Sequence, residues 1–179
     1  MSYEIQEHKH RYAAWAASRA ASTKTCRFNV LQGRTIIEEI GLQDFLDRPD
    51  DLPNPHQIDA VHREWRAVSI LSAERMNLIG FGHGVAAKLI NVYLKGTFVC
   101  GGYEKHPSVA ALHPPIDSLL LDSLEEKDKG AREIVWKEAK KAKWSKFDSQ
   151  QYERVVEAIR SLQAETPLWQ VEQHWRGYQ

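Results

Sequence analysis

Apolar residues along the chain recur at spacings of three and four and nowhere sustain an alternation, so the pattern predicts helices throughout and no strand. From about Glu7 to Ser22 an alanine-rich helix carries Tyr12, Trp15 and Arg19 at spacings of three and four. Its alanines allow close packing against another helix. Tyr12 and Trp15 fall on its apolar stripe, as Trp65 does on a later one, which assigns these aromatics to packing. Asn29 is placed to cap a second helix through Ile36, Ile37 and Ile40 that stops at Gly41. A short helix over Gln43 to Asp47 precedes the loop RPDDLPNP, a candidate hinge if the domain divides into two lobes around a cleft. From His56 to about Met76 a long amphipathic helix sets Ile58, Val61, Trp65, Val68 and Leu71 or Ser72 on one side.

A glycine-punctuated turn follows, then a helix from about Gly84 to Thr97 and an irregular stretch over Phe98 to Leu112. Pro114 and Pro115 stand where a helix can begin, since proline is tolerated in a first turn, and that helix runs through Leu119, Leu120, Leu121 and Leu124. Two more span about Ala131 to Lys143 and Ser149 to Gln163, the second capped by Asp148 or Ser149, and Pro167 starts a short terminal helix, PLWQVEQHW. No internal repeat occurs. The expected fold is all-α, a single compact helical domain over residues 1–179, with any chemistry centred on 77–124.

Composition changes this picture little. Hydrophobic residues are 42% and charged residues 27%, ordinary for a soluble globule. No run approaches the roughly 18–20 apolar residues of a membrane span, and the N-terminus, MSYEIQEHKHRY, lacks the apolar core of a secretory signal. A monomer in the cytoplasm, with no membrane partner, is the expectation. Cys26 and Cys100 are the only cysteines, which argues against a disulfide scaffold or a thiolate zinc site. The pairs His8/His10 and His106/His113 lack helical i, i+4 placement and a partnering carboxylate, so neither a metal nor a cofactor is expected. P-loop, nucleophile-elbow, His-Glu-x-x-His and dinucleotide fingerprints are all absent.

Net charge is zero, but its distribution is uneven. Arg34 to Glu64 is acid-rich, whereas Lys127 to Lys146 is basic. On a helix, Lys137, Lys140 or Lys141, and Trp144 share a face, which suits phosphate contacts through Lys140, Lys141 and Lys143 and equally suits a plain solvated face.

The residues with most chemical content lie between Ile79 and Asp122. Ile79-Gly80-Phe81-Gly82 has the form of a helix-hairpin-helix turn, which turns backbone N–H groups outward at a helix start where a phosphate oxygen can accept them. Gly80, Gly82 and Gly84 would let a nucleic-acid backbone approach closely, and His83 could face phosphate in the same place. A helix end followed by a new helix yields the same glycines. Downstream, Lys88 and Lys95 share one helix with six residues between them, and Asp117 follows in His113-Pro114-Pro115-Ile116-Asp117.

These motifs resemble the helix-hairpin-helix DNA glycosylase superfamily, and within it the archaeal 8-oxoguanine glycosylase branch, with its Lys-x6-Lys helix and downstream Pro-Val-Asp motif. The likeness covers about Ile79 to Leu124. It implies a DNA glycosylase that cleaves the N-glycosidic bond of a flipped-out modified or damaged base, in base-excision repair or in defence against phage DNA with bulky modified cytosines. Asp117 would be the ionised carboxylate that stabilises charge on the sugar. Lys88 would be the nucleophile, an amine kept neutral by burial. In most bifunctional members the lysine sits two residues after the second hairpin glycine, where this chain has Gly84. Either Lys88 serves from a shifted hairpin, or the enzyme is monofunctional. Lys95 and His113 are expected to contact DNA, and aromatic side chains to hold the base. The competing readings are a non-catalytic helical DNA-binding module that uses the hairpin as a phosphate clamp, and a helical interaction protein. Only the first reading requires Lys88 and Asp117 to line one concave pocket.

Overall fold

A computed structural model of the protein describes residues 3–178, and every regular element among them is helical. In chain order these are α1 (Ile5–Ala21), α2 (Val30–Glu39), α3 (Ile58–Arg75), α4 (His83–Leu94), α5 (Pro107–Ala110), α6 (Ser118–Lys127), α7 (Glu133–Ala142) and α8 (Ser149–Leu162), with shorter 3-10 and π-type segments between and after them. None of these helices is long and apolar enough to cross a membrane.

The arrangement is built around α4. Its sequence, HGVAAKLINVYL, is mostly apolar, with Lys88 and Asn91 as the polar positions past its first turn, and such a helix has to be largely surrounded. It packs against α1, α3, α8 and the turn Trp144–Lys146, and Val85, Leu89, Ile90 and Leu94 are fully inside. α1 lies along it through Ala13, Ala14, Ala17 and Ala21. The alanine face, not the aromatic one, is therefore the core face. Tyr12 and Trp15 are 63% and 50% exposed, contrary to the packing role the spacing suggests. Helix axes this close leave no room between them for a ring. α2 crosses α1 equally closely, because a Cβ on Gly33 would collide with the Ser18 side chain.

The N-caps follow local chemistry. Asn29 and Asp148 each close a capping box, with Gln32 and Gln151 reaching back three residues on. Two apolar clusters result. One gathers α1 to α5, and there Leu52 is buried, so the 48–55 loop is docked onto the core. The other joins Ala87 of α4 to Leu120, Leu124, Trp136, Tyr152 and Ile159 of α6 to α8.

Three stretches depart from the sequence reading. Residues 95–103 continue from α4 in wide π-type turns, held by buried Thr97 and Phe98, until Gly102 takes a left-handed conformation (φ 93°). The glycines there read as breakers, yet only Gly102 acts as one. Residues 113–117 form no regular element, since His113 and Pro114 each precede a proline and avoid the helical region, and α6 begins at Ser118 with extended Asp117 as its N-cap. α7 stops at Ala142. Lys143 then takes a positive φ (68°) and Trp144 opens a separate turn, so the tryptophan leaves the face of Lys137 and Lys140.

α3 also turns a different side inward. Val68 and Leu71 are exposed, whereas His62, Arg66, Ser69 and Ser72 are buried with Ile58 and Trp65. The polar members go inside because partners await them. His62 Nε2–H donates to Asn91 Oδ1 (2.8 Å), and Asn91 Nδ2 donates to Pro114 O and Tyr152 Oη (3.0 Å each). Tyr152 O–H then donates to His113 Nδ1 (3.0 Å), and His113 Nε2–H to Asp59 Oδ1 (2.8 Å). Arg66 is fully buried over the Tyr152 ring, with Glu153 as its carboxylate at 2.8 Å.

Both histidines of this chain of bonds are held neutral. Burial keeps the His62 imidazole well below the ordinary value of 6.5, helped by the charge of Arg66 and by the repulsion a proton on His113 would add. Burial lowers His113 as well, against the pull of Asp59. Unfolding frees both to take up protons at their ordinary value. Their contribution to stability is therefore complete above about pH 6.5 and is lost progressively as the pH falls below it. The slope is up to about 1.4 kcal/mol per pH unit for each proton. Urea midpoints measured from about pH 7.5 down to pH 5 should fall. His62→Gln, which keeps a donor for Asn91, should flatten that fall by about half. A midpoint independent of pH across this range would contradict the assignment.

Candidate active site

Lys88 and Lys95 are two turns apart on α4 and its continuation, so they share a face. That face meets the 113–117 segment, the α1 surface of Tyr12, Ala16 and Ala20, and the C-terminal turns Leu168–His174 with Trp175. Together they line a cavity of about 450 Å³ that is open to solvent on one side.

Lys88 is 7% exposed, and its Nζ donates to Asp117 Oδ2 at 2.9 Å. Burial pushes the ammonium below the ordinary lysine value, and the Asp117 carboxylate opposes that push. The Trp144 ring centroid lies 5.7 Å from Nζ. Asp117 is held from three directions. Oδ1 accepts the Leu120 N–H that caps α6 (2.9 Å), while Oδ2 accepts from Trp175 Nε1–H (3.0 Å) as well as from Lys88. A second pair lies beside the first: Lys95 donates to Glu172, with the Trp175 ring 5.7 Å from the ammonium. Burial raises the Glu172 carboxyl, and Lys95 opposes this. The site thus carries two amine–carboxylate pairs, with one tryptophan bonded to one pair and lying against the other.

The remaining sequence candidates fall elsewhere. Gly80 and Gly82 lie outside the cavity lining. Gly80 is left-handed (φ 80°), whereas Gly82 is extended and caps α4. Gly84 is interior, because a Cβ there would collide with the Trp144 carbonyl oxygen. It serves helix packing and not a nucleic-acid backbone. His83 is half-buried in the first turn of α4. His113 is 5% exposed with both ring nitrogens bonded inside the protein, so the expected contact with a base or phosphate is replaced by a role in the interior. Lys140 is paired with Asp122 and Glu125, while Lys141 and Lys143 are exposed. Lys143 and Trp144 line a separate cleft beside Ser118.

Sequence reasoning missed Glu172, Trp175 and the cavity-facing Tyr12. Helical spacing assigns Tyr12 to packing, which hides its place in the cavity wall. The other two carry no local signal, since their partners lie 77 and 58 residues away. Among the described residues no group of three or more His, Cys, Asp or Glu side chains is arranged to hold a metal ion.

A buried amine against a carboxylate, in a cavity with aromatic walls, has the parts for attack on an electrophilic carbon and for stabilising positive charge. Comparison with protein families, characterised proteins and solved structures returned no match to this chain.

Proposed function

We propose that the protein is a DNA glycosylase that draws a nucleotide bearing a modified or damaged base into this cavity and cleaves its N-glycosidic bond. One observation carries the reading: Lys88 and Asp117 form a buried pair at 2.9 Å on the wall of a cavity of about 450 Å³. That size is within the range of small-molecule sites and leaves room for a base with a substituent. Tyr12 and Trp175 offer ring faces for a base taken out of its stack.

In the ground state Lys88 is an ammonium paired with Asp117. Transfer of one proton to the carboxylate, or to the departing base, leaves the neutral amine that burial already favours. The amine attacks the sugar carbon, and the bond to the base breaks with its electron pair leaving on the base. Ring opening then gives an imine to Lys88. If water attacks in place of the amine, Asp117 orients it, Lys88 remains an ammonium, and base loss proceeds without an imine. Lys95 lies beside the site, and a phosphate there would have to take its ammonium from Glu172.

The test is incubation with duplexes that carry a series of modified bases, followed by alkali, with a parallel reaction in borohydride. Alkali-labile sites in at least one duplex are expected, together with a trapped covalent complex that disappears in Lys88→Gln. Base loss without a trapped complex would select the water route. No base loss from any duplex, modified cytosines included, would overturn the reading.

A further inference from the structure

Residues 8–37 contain six Lys or Arg and no Asp or Glu. Three of the six are paired internally, Lys9 with Asp47, Arg11 with Glu7 and Arg34 with Glu38. The other three, Arg19, Lys24 and Arg27, are exposed, and no carboxylate among the described residues pairs with them. All three line one groove of about 610 Å³, open to solvent, between the end of α1 and the start of α2.

The groove has two neighbours that matter. Behind it, Gly80 is seated against Thr25, where a Cβ would press on the carbonyl oxygen at 2.9 Å, and Phe81 packs edge-on to Phe28 with centroids 5.6 Å apart. The turn Ile79–Gly82 therefore abuts the loop that carries Lys24 and Arg27. Along α1, Arg19 lines the groove and the next residue, Ala20, lines the cavity. The groove and the cavity thus draw on consecutive positions of α1.

We propose that this groove binds the phosphodiester backbone of the nucleic-acid strand whose base enters the cavity, an inference that rests on the excision reading for the base but not for the backbone. Three cations without counter-charges, in a chain of zero net charge, concentrate positive potential where a row of phosphates can replace it. A strand matches this better than a single anion does, because the three charges come from three places along an open groove and not from one closed pocket.

The experiment is anisotropy with a fluorescein-labelled duplex and its single strand, over a salt series, with the full chain and the triple variant Arg19→Gln, Lys24→Gln, Arg27→Gln. The residues are exposed and unpaired, so the variant should fold, and its far-UV circular dichroism should match wild type. Wild-type affinity should fall steeply with salt. The triple variant should bind about tenfold or more weakly at low salt, and its slope should be shallower by about 0.9 for each phosphate no longer neutralised, about 2.7 in all. Equal binding by the triple variant would overturn the groove and leave the excision reading untouched. Groove-dependent binding with no base loss from any duplex would sustain the groove while excision failed. Competition by polyglutamate at equal charge, as effective as DNA, would overturn the assignment to nucleic acid.

Discussion

Asp117→Asn should slow base release by about 10²–10³-fold, the usual effect of removing one preorganised electrostatic group from a transition state. Asparagine keeps a side-chain oxygen for the Leu120 N–H, so the start of α6 stays capped. What goes is the charge, and with it the one carboxylate bonded to Lys88 among the described residues. Burial of the Lys88 amine is then unopposed by this neighbour, which drives the folded-state value further below that of the unfolded chain. A group lowered in this way contributes stability as the pH rises toward its unfolded value. The variant should therefore gain more in melting temperature than wild type between about pH 7 and pH 9.5. Asp117→Ala should be as slow as the asparagine variant but less stable by about 1 kcal/mol, because it loses the cap as well. Single-turnover base release and thermal melts of the three proteins separate the two roles. An asparagine variant within about tenfold of wild type would remove the carboxylate from the chemistry.

The largest expected effect on stability comes from the second apolar cluster. Trp136 is fully buried among α6, α7 and α8, and its Nε1–H donates to Asp128 Oδ2 at 2.8 Å. Trp136→Ala should lower the unfolding free energy by about 3–5 kcal/mol, a large part of the roughly 5–15 kcal/mol of an ordinary domain. Trp136→Phe keeps most of the volume and loses the hydrogen bond, and should cost much less. Urea denaturation with an unchanged slope would identify both as losses of native stability. A loss below about 1.5 kcal/mol for the alanine variant would mean that α6 and α8 close over the gap. Since Asp117 caps α6, that repacking would also be felt at the Lys88 pair.

What the sequence makes legible is mostly local. Asn29 can be read as a cap and Asp148 as one of two candidates with Ser149, and the capping boxes with Gln32 and Gln151 place both caps in the structure. The common face of Lys88 and Lys95 follows from their spacing alone. The meeting of Lys88 with Asp117 comes instead through the glycosylase likeness, since nothing in periodicity carries one residue to another 29 positions away. Spacing fails where it has to choose a face. Tyr12 and Trp15 mark a helix with an apolar side, yet the alanines win the interior because they allow the shorter distance to α4. In α3 the inward side is polar, which becomes favourable only once Asn91 and Glu153 are in place. Glu172 and Trp175 are out of reach because the C-terminal turns are placed by tertiary packing.

The alanines of α1 have one more effect. Ala16 and Ala20 form a side of the cavity with little more than backbone and methyl groups. The width available to a bound molecule is thus set by what those two positions lack. Each carbon added there would be subtracted from the space facing Lys88 and Asp117, without touching either. The helix that packs on α4 through Ala13, Ala14, Ala17 and Ala21 thus presents a second pair of small residues, on another side, that sets the width of the cavity.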